Sequence, residues 1–359
     1  MRVLVTGGAG FVGANLALML RRNHEWPVVA LDNLKRRGSE LALRRLAKGG
    51  VTFVHGDVRI PSDLEAAGPV DLIIECSAEP SVHAGGDGDG RYVVETNLVG
   101  TLNCLELARR RGAAMIFLST SRVYSIAALR ALPAIAGATR LEIPAEASGP
   151  GWSRQGIAES FPTTGSRSLY GASKLASELL VEEYHAMYGM PAVINRCGVV
   201  SGPWQMGKVD QGFFVLWAAR YLYGGRLGYH GFGGQGLQVR DVLHVADLYA
   251  LIDYQAMHVE ALAGCIFNAG GGPGASVSLR ELTAMCEERT GRKIALGREP
   301  LTSAADIPYY VSDNRKVTQA TRWSPRHTVE SILDHVIKWL DEYRSELIPI
   351  LGPSPGESL

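Results

Sequence analysis

Two residues four positions apart, Tyr170 and Lys174, have the types and spacing that could carry out proton transfer. On a helix, residues i and i+4 lie on one face, so the two side chains would be neighbours. A free tyrosine has a pKa of about 10, and a nearby ammonium stabilises the phenolate and lowers that pKa. Such a pair can take a proton from a hydroxyl while hydride leaves the same carbon. The alternative is an ordinary helical pair with the ring half-buried.

Thr120 is a third candidate, because it ends a predicted strand over residues 114–118 that is followed by Ser119, Thr120 and Ser121. Its hydroxyl can donate a hydrogen bond to the reacting oxygen. Lys174 can in addition hydrogen-bond the ribose of a nicotinamide cofactor. These roles require a dinucleotide site elsewhere in the chain.

A glycine-rich turn at residues 6–13 predicts that site. It reads Thr-Gly-Gly-Ala-Gly-Phe-Val-Gly, after an apolar run and before a helix-like segment. In this context the backbone N–H groups at the helix start face a pyrophosphate. Two frames fit, Gly8-x-Gly10-x-x-Gly13 and Gly7-x-x-Gly10-x-x-Gly13, and the later motifs favour the second.

The end of the second predicted strand indicates which dinucleotide is bound. Asp32 follows an apolar run at residues 28–31 and is placed to bind ribose hydroxyls. Its charge would repel a 2′-phosphate, which favours NAD over NADP. Lys35, Arg36 and Arg37 could in principle offset that repulsion, but we interpret them as a solvated helix entrance.

Predicted strands and helices alternate through the first half of the chain. Repeated β-α units imply an α/β fold of the Rossmann type, with a doubly wound parallel sheet and ligands beyond the carboxyl ends of its strands. We expect an NAD-binding domain over residues 1–195, to which strands near 239–270 return, and a smaller interleaved domain over 196–359 that binds the substrate. The residues expected to share one rim are Asp32, Asp57, Cys76 and Thr120.

The composition argues against several classes of function. A formal net charge of zero gives no general attraction to nucleic acid or to anionic membranes. No run approaches the roughly 18–20 apolar residues of a membrane span. The five cysteines are scattered, so we expect reduced core residues, no metal site and a cytoplasmic protein. A strand that starts at Arg2 leaves no room for a signal peptide.

These motifs resemble the short-chain dehydrogenase/reductase superfamily, in its extended branch that acts on nucleotide-activated sugars. The resemblance covers nearly the whole chain and implies NAD as cofactor, Tyr170, Lys174 and Thr120 as catalytic residues, and a homodimer or homotetramer. The stretches that carry it are residues 6–13, Asn97-x-x-Gly100-Thr101, Ser119-Thr120-x-x-Val123-Tyr124, Tyr170-x-x-x-Lys174, and residues 238–245 followed by Asp247.

Binding roles follow for further residues. We assign NAD binding to Gly7, Gly10, Phe11, Val12, Asp32, Asn33, Asp57, Val58, Asn97 and Lys174. We assign binding of the nucleotide-diphosphate sugar to Thr120, Gln211, Arg240 and Arg298, with Asp210 near the nucleotide. A guanidinium grips phosphate oxygens in bidentate fashion, so Arg240 suits the diphosphate, the alternative being a structural ion pair. Asp57 caps either the adenine end of NAD or the next helix.

Within the branch, the chain is most similar to epimerases of CDP-activated sugars. The similarity implies that tightly held NAD oxidises C2 of the sugar to a ketone, and that the same hydride returns after the sugar presents its other face. The stretches concerned are residues 53–59, 119–124, 210–213 and 236–244.

Three alternatives remain open. A sugar-nucleotide 4-epimerase shares the Thr, Tyr and Lys set and differs only in the pose of the sugar. A 4,6-dehydratase needs a further acid and base, and that branch carries Asp-Glu after the threonine, where this chain has Ser121 and Arg122. A non-catalytic NAD-binding scaffold could dispense with Tyr170 and Lys174, and both are present.

The sequence departs from the family pattern in two places. Residues 75–78 read Glu-Cys-Ser-Ala where the family has a His-x-Ala pattern, and Ser125 replaces a glycine. Residues 125–168 have little clear periodicity and are long for a connection, so we expect a lid over the substrate or a partly ordered insertion.

Overall fold

Strands and helices follow one another along residues 1–86, 89–207 and 211–353, the part of the chain that the computed structural model describes. The strands there are β1 Val3–Thr6, β2 Val28–Asp32, β3 Thr52–His55, β4 Leu72–Glu75, β5 Ala114–Thr120, β6 Ile135–Ala136, β7 Leu141–Glu142, β8 Trp152–Ser153, β9 Gly156–Ile157, β10 Ala192–Cys197, β11 Val199–Ser201, β12 Leu227–His230, β13 Val239–His244, β14 Ile266–Ala269, β15 Ser276–Ser278, β16 Leu296–Glu299 and β17 Tyr309–Tyr310. The α-helices are α1 Phe11–His24, α2 Ala42–Lys48, α3 Pro61–Glu65, α4 Gly90–Val94, α5 Gly100–Arg111, α6 Ile126–Arg130, α7 Leu169–Tyr188, α8 Phe213–Tyr223, α9 Val245–Met257, α10 Leu279–Thr290, α11 Arg315–Thr321, α12 Val329–Glu342 and α13 Arg344–Leu351. None of the described helices is long and apolar enough to cross a membrane.

The central sheet has seven parallel strands in the order β14-β10-β5-β4-β1-β2-β3. Successive side chains of β1 point to opposite faces: Val3 and Val5 pack in the core beneath α1 and α9, and Leu4 packs in the core beneath α5 and α7. Each fully buried Leu or Val of this kind stabilises the fold by about 1.5–3 kcal/mol. The predicted doubly wound α/β sheet is confirmed.

A second unit is built mainly from the later part of the chain. Strands β11, β13 and β15 form a small sheet in which β17 also pairs with β13, and helices α8, α10 and α12 enclose a separate apolar core. Of the strands near residues 239–270 that were expected to return to the central sheet, β14 does so and β13 does not. The expectation for β13 is corrected, because its edges are occupied by β11, β15 and β17. The boundary at residues 195 and 196 stays a prediction.

Residues 125–168 are an ordered part of this second unit and do not cover the cavity described below. The segment forms α6 and the short hairpins β6–β7 and β8–β9. Ile157 and Phe161 are buried with Tyr124 and Tyr310. Ser125, which replaces the family's glycine, starts α6: its hydroxyl accepts a hydrogen bond from the backbone N–H of Ala128.

Three histidines lie together where β13 meets α9. His244 Nδ1 accepts a hydrogen bond from the backbone N–H of Ala246, and its ring stacks on His327. His244 Nε2 lies 3.3 Å from Nδ1 of His335, and one nitrogen of each ring lies within 4.8 Å of the others. A neutral imidazole carries one ring proton, so Nε2 of His244 donates to His335 and offers no lone pair to a cation. Sequence analysis did not foresee this cluster.

The cluster makes the stability of the protein depend on pH. Burial, with the neighbouring His327 and His335, lowers the pKa of His244 from 6.5 to about 4. Between pH 6.5 and about 4, His244 is protonated in the unfolded chain but neutral in the folded chain. The free energy of unfolding should therefore fall as pH drops through this window, by up to about 3 kcal/mol.

His244→Asn tests this dependence, because asparagine keeps a capping acceptor but does not titrate. Urea unfolding at several pH values should show a shallower loss of stability for the variant between pH 6.5 and about 4. His258→Asn, at an exposed histidine, is the control and should leave the wild-type slope in place. Equal slopes for wild type and His244→Asn would contradict the assignment.

Candidate active site

Strand β5 and helix α7 bring the predicted catalytic side chains together. Thr120 ends β5, Tyr170 is the second residue of α7, and both side chains line the same cavity. The helix begins here because the Ser168 hydroxyl accepts a hydrogen bond from the backbone N–H of Gly171 at 3.2 Å. A Cβ added at Gly171 would lie 2.2 Å from the carbonyl oxygen of Arg122. Glycine thus lets α7 pack directly against the end of the strand.

Burial sets the acidity of Tyr170. Desolvation raises the pKa of its phenol to about 12, while the hydrogen bond with Thr120 and the positive charge of Arg122 act in the opposite direction. The expectation of a net lowering by Lys174 is wrong, because desolvation of the half-buried ring outweighs the nearby cations. Sequence analysis missed Arg122 as a neighbour of the phenol, although it stands only two residues after Thr120.

Lys174 lies one helical turn after Tyr170 and is almost fully buried. Its Nζ lies 3.9 Å from Oε2 of Glu75 and 3.8 Å from the centre of the Phe117 ring. Burial lowers the pKa of Lys174, and the carboxylate of Glu75 opposes that change. The charge of the ammonium therefore depends on a residue at the end of β4.

The glycine-rich turn between β1 and α1 has the shape that a dinucleotide requires. Gly7 has a φ of +61°, a Cβ at Gly8 would lie 2.6 Å from Cβ of Ala30, and a Cβ at Gly13 would lie 2.2 Å from the Gly7 oxygen. Helix α1 starts after Gly10 with no side-chain cap and no acid in its first turn. Its free N–H groups suit a pyrophosphate, so the turn fits NAD.

Asp32 fastens the end of β2 to this turn. Its Oδ2 accepts a hydrogen bond from the Ala9 backbone N–H at 3.1 Å, and its Oδ1 accepts one from Leu34 at 2.7 Å. Asp32 also lines the cavity. Its contact with ribose hydroxyls stays a prediction.

Asp57 is held by its neighbours and does not line the cavity. Its carboxylate accepts hydrogen bonds from Arg59 at 2.7 Å and from Asn33 at 2.9 Å, and Arg59 lowers the pKa of Asp57 to about 2. The alternative interpretation as a helix cap is wrong, because α3 begins after Ile60 without a side-chain cap. Asn33 and Val58 do line the cavity, whereas a contact between Asp57 and adenine stays a prediction.

Asn97 lies on a π-helical turn, Glu95–Val99, that joins α4 to α5. Its side chain accepts from the Glu79 backbone N–H at 2.8 Å and donates to the Ser173 hydroxyl at 3.0 Å. It is fully buried and does not line the cavity. This placement favours a role in positioning α7, and direct binding of NAD by Asn97 stays a prediction.

Residues 33–38 form a loop that leads into a 3-10 helix at Ser39–Leu41 and then α2, so the predicted helix entrance is present, with Lys35 and Arg37 exposed. The same loop also reaches the second unit. Arg36 donates to the side-chain oxygen of Gln211 at 2.5 Å and to the Met206 carbonyl at 2.6 Å. Arg37 donates to the Pro349 carbonyl. Gln211 lines the cavity and links the two units there, while Asp210 lies outside the described residues.

Arg240 and Arg298 line the far part of the same cavity. Arg240 Nη2 forms an ion pair with Asp306 at 3.1 Å and donates to the Ile307 carbonyl at 2.6 Å. Burial lowers the pKa of Arg240 to about 10. The structural ion pair that sequence analysis weighed against phosphate binding is therefore present, and a contact with diphosphate stays a prediction. Arg298 is exposed on β16.

These parts enclose one cavity of about 1660 Å³. Cys197 is a buried core residue, as expected, although it also borders the cavity. Cys76 lines the cavity and is only partly buried, so it departs from that expectation. Sequence analysis placed Cys76 on the rim but offered no signal for Cys197. The predicted site residues that line the cavity are Gly7, Gly10, Phe11, Val12, Asp32, Asn33, Val58, Thr120, Tyr170, Lys174, Gln211, Arg240 and Arg298.

Comparison with known proteins identifies the family to which this protein belongs. Residues 3–270 match the model of the NAD dependent epimerase/dehydratase family. The chain belongs to this family. The predicted family and its NAD cofactor are thereby confirmed, as is the prediction of an enzyme of this NAD-dependent class.

Curated members of the epimerase/dehydratase family are similar over nearly the full chain. A CDP-paratose 2-epimerase of Salmonella typhi is 29% identical over 352 residues, covering 94% of this chain and 99% of that protein. A dTDP-glucose 4,6-dehydratase of Mycolicibacterium smegmatis is 30% identical over 354 residues, covering 94% and 93%. Both epimerases and dehydratases are therefore found among relatives that are 29–30% identical to this chain.

Solved structures of the family match as well. A UDP-glucose 4-epimerase of Thermus thermophilus in complex with NAD has a TM-score of 0.76 and 26% identity, and covers 95% of this chain and 99% of that one. A dTDP-glucose 4,6-dehydratase of Streptomyces venezuelae with NAD bound has a TM-score of 0.77 and 28% identity, and covers 98% and 100%.

Tyr170→Phe tests the phenol directly. Phenylalanine preserves the ring packing but cannot exchange a proton, so turnover should fall by about 100- to 10,000-fold. The NAD content of the purified variant, read from the absorbance of released cofactor, should match that of the wild type. Tyr188→Phe, at an exposed position near the end of the same helix, is the matched control. Full activity in Tyr170→Phe would remove the phenol from the mechanism.

Proposed function

We propose that the protein is an NAD-dependent epimerase of a nucleotide-diphosphate sugar, acting at C2 of a CDP-sugar of the paratose and tyvelose type. The observation that carries the proposal is that Thr120 and Tyr170 line the same cavity as the glycine-rich turn and Lys174. The similarity to the CDP-paratose 2-epimerase of Salmonella typhi supports the choice of carbon and of base.

In the proposed mechanism, Tyr170 takes the proton from the sugar hydroxyl at the reacting carbon once its own phenol has ionised, which burial opposes and the positive charge of Arg122 favours. Thr120 hydrogen-bonds the same oxygen and orients it. The chemistry that NAD supplies when bound is the uptake of hydride from that carbon and its return to the opposite face. Tyr170 then gives the proton back to the oxygen, so the reaction has no net redox change.

The cofactor end of the cavity would be held by the turn at Gly7 and Gly10, by Asp32 and by Lys174. At the other end, four guanidinium groups border the space for a sugar nucleotide, those of Arg122, Arg226, Arg240 and Arg298. A diphosphate carries the negative charge that such a lining attracts, and guanidinium groups bind phosphate oxygens in bidentate fashion. This distribution of charge supports one dinucleotide and one sugar nucleotide in a shared space.

Elimination of water, as in a 4,6-dehydratase, requires an acid and a base in addition to the tyrosine. Ser121 and Arg122 occupy the two positions after Thr120, and neither supplies a carboxyl group. This absence at the two positions disfavours the dehydratase. A non-catalytic scaffold is disfavoured because Tyr170 and Lys174 both border the cavity.

A panel of CDP-, UDP-, GDP- and dTDP-sugars tests the proposal. NMR should show inversion at C2 of a CDP-sugar with no change in total NAD or NADH. Incorporation of solvent hydrogen at that carbon should be absent, because the same hydride returns. Inversion at C4 would identify a 4-epimerase, and a 4-keto-6-deoxy product would identify a dehydratase; either would overturn the assignment.

We also propose a cytoplasmic homodimer, or a homotetramer built from it. Five free thiols are typical of a protein in a reducing compartment. Leu179 and Met187 on α7 have 58% and 68% of their surface exposed, and a two-fold axis would pack this apolar face against its copy.

Light scattering should give at least twice the 38.6 kDa of one chain. Leu179→Glu places a charge on the proposed interface and should shift the population toward monomer. Ile60→Glu, at an exposed residue before α3, is the control and should not. A monomeric wild type at micromolar concentration would refute this assembly.

A further inference from the structure

Glu75 is a buried carboxylate next to the cavity, and the mechanism above gives it no role. It ends β4 with none of its surface exposed. Its Oε1 accepts a hydrogen bond from the Ser77 hydroxyl at 2.9 Å, and its Oε2 accepts one from the Thr101 hydroxyl at 3.2 Å. The ammonium of Lys174 lies 3.9 Å from Oε2. A strand end, α5 and α7 therefore meet at this one carboxyl group.

The cost of burying a charge explains why Glu75 and Lys174 lie next to each other. A carboxylate or an ammonium without a partner in a dry site gives up its charge, since desolvation disfavours the ionised form. Here each group supplies the charge that the other needs. The Ser77 hydroxyl donates to Oε1, and the Thr101 hydroxyl shares its proton between Oε2 and the Asn97 carbonyl, which lies closer at 2.7 Å. The face of the Phe117 ring adds a second attraction for the ammonium.

We propose that Glu75 is a positioning residue of the active site, which holds the Lys174 ammonium in place and in its charged form. The proposal rests on the proposed function, in which Lys174 serves both Tyr170 and the ribose of NAD.

Other charged groups near the pair do not replace Glu75. Glu178 faces Lys174 from the same helix, but it forms an ion pair with Arg196 at 2.7 Å. Burial raises the pKa of the nearby thiols, which keeps them neutral. The surrounding titratable or charged groups are Tyr170 and Glu178 on α7, Cys76 after β4, Cys104 on α5, Cys197 on β10 and Arg122 after β5.

The sign of the expected effect follows from the charge. A carboxylate favours the protonated form of every group close to it, so Glu75 raises the pKa of both Lys174 and Tyr170. Its removal should move both titrations to lower pH. The acid and alkaline limits of activity should therefore shift in the same direction.

Glu75→Gln is the test, because glutamine keeps the shape and the hydrogen-bonding capacity but carries no charge. The full-length chain labelled with ¹³C at the lysine Cε reports the protonation of Lys174 by NMR, with Lys174→Arg assigning the signal. The midpoint for Lys174 should fall by about 1–3 pH units, as expected for the loss of an opposite charge within about 4–6 Å. The pH–rate profile should shift downward as a whole.

Glu183→Gln removes one exposed carboxylate from α7 and is the matched control, with no change expected in either titration. An unmoved Lys174 midpoint in Glu75→Gln would overturn the proposal, as would an equal shift in the control. If Glu75→Gln does not fold, Glu75→Asp withdraws the carboxylate by one methylene and should give a smaller shift in the same direction; no shift would overturn the proposal.

The NMR titration needs no substrate, so the two proposals fail separately. Epimerase activity with an unmoved Lys174 midpoint would overturn the role of Glu75 alone. A shifted midpoint in a chain that epimerises no sugar nucleotide would retain the pairing and overturn the proposed function.

Discussion

Parallel pairing in register brings the ends of four neighbouring strands to one edge of the central sheet. Glu75 at the end of β4 stands opposite Thr6 of β1, and Cys197 of β10 stands opposite Thr120 of β5. A shift of one residue in any of these strands would turn its side chains to the other face. The hydrogen bonds of the sheet therefore set where the hydroxyl of Thr120 and the carboxylate of Glu75 emerge.

The helices reach this edge because glycine removes the atoms that would keep them away. Gly13 lets α1 approach the backbone of the turn, and Gly171 lets α7 approach the carbonyl of Arg122. The close approach also removes water, which raises the pKa of Tyr170 and lowers that of Lys174. The geometry that aligns the reacting groups thus works against their charged forms, and the cations and acids around them have to compensate.

Local patterns in the sequence were sufficient for the features that repeat or that lie close in the chain. The apolar runs followed by helical periods predicted the doubly wound sheet, and the i, i+4 spacing placed Tyr170 and Lys174 on one helix. The turn at residues 6–13 was recognised because a strand, the glycines, a helix, a second strand and Asp32 follow one another in the order of a dinucleotide site. The π-helical turn at Asn97 was not visible, since it continues a regular helical pattern on both sides.

Local sequence patterns left the roles of several charged residues open, and these roles depend on contacts with residues that are distant in the sequence. Arg240 was weighed between a phosphate and an ion pair, and the choice depends on Asp306, which only the fold brings to it. The pattern gave residues 33–38 as a solvated helix entrance, but it could not show that Arg36 and Arg37 also donate hydrogen bonds to Gln211 and Pro349. Glu75 gives the clearest case, because an acid at the end of an apolar strand has no explanation within β4. The explanation comes from the fold, in which α7 places the Lys174 ammonium 3.9 Å from the Glu75 carboxylate. Local spacing assigned Lys174 to the reaction, and under our proposal the contact with Glu75 holds its ammonium in place and charged.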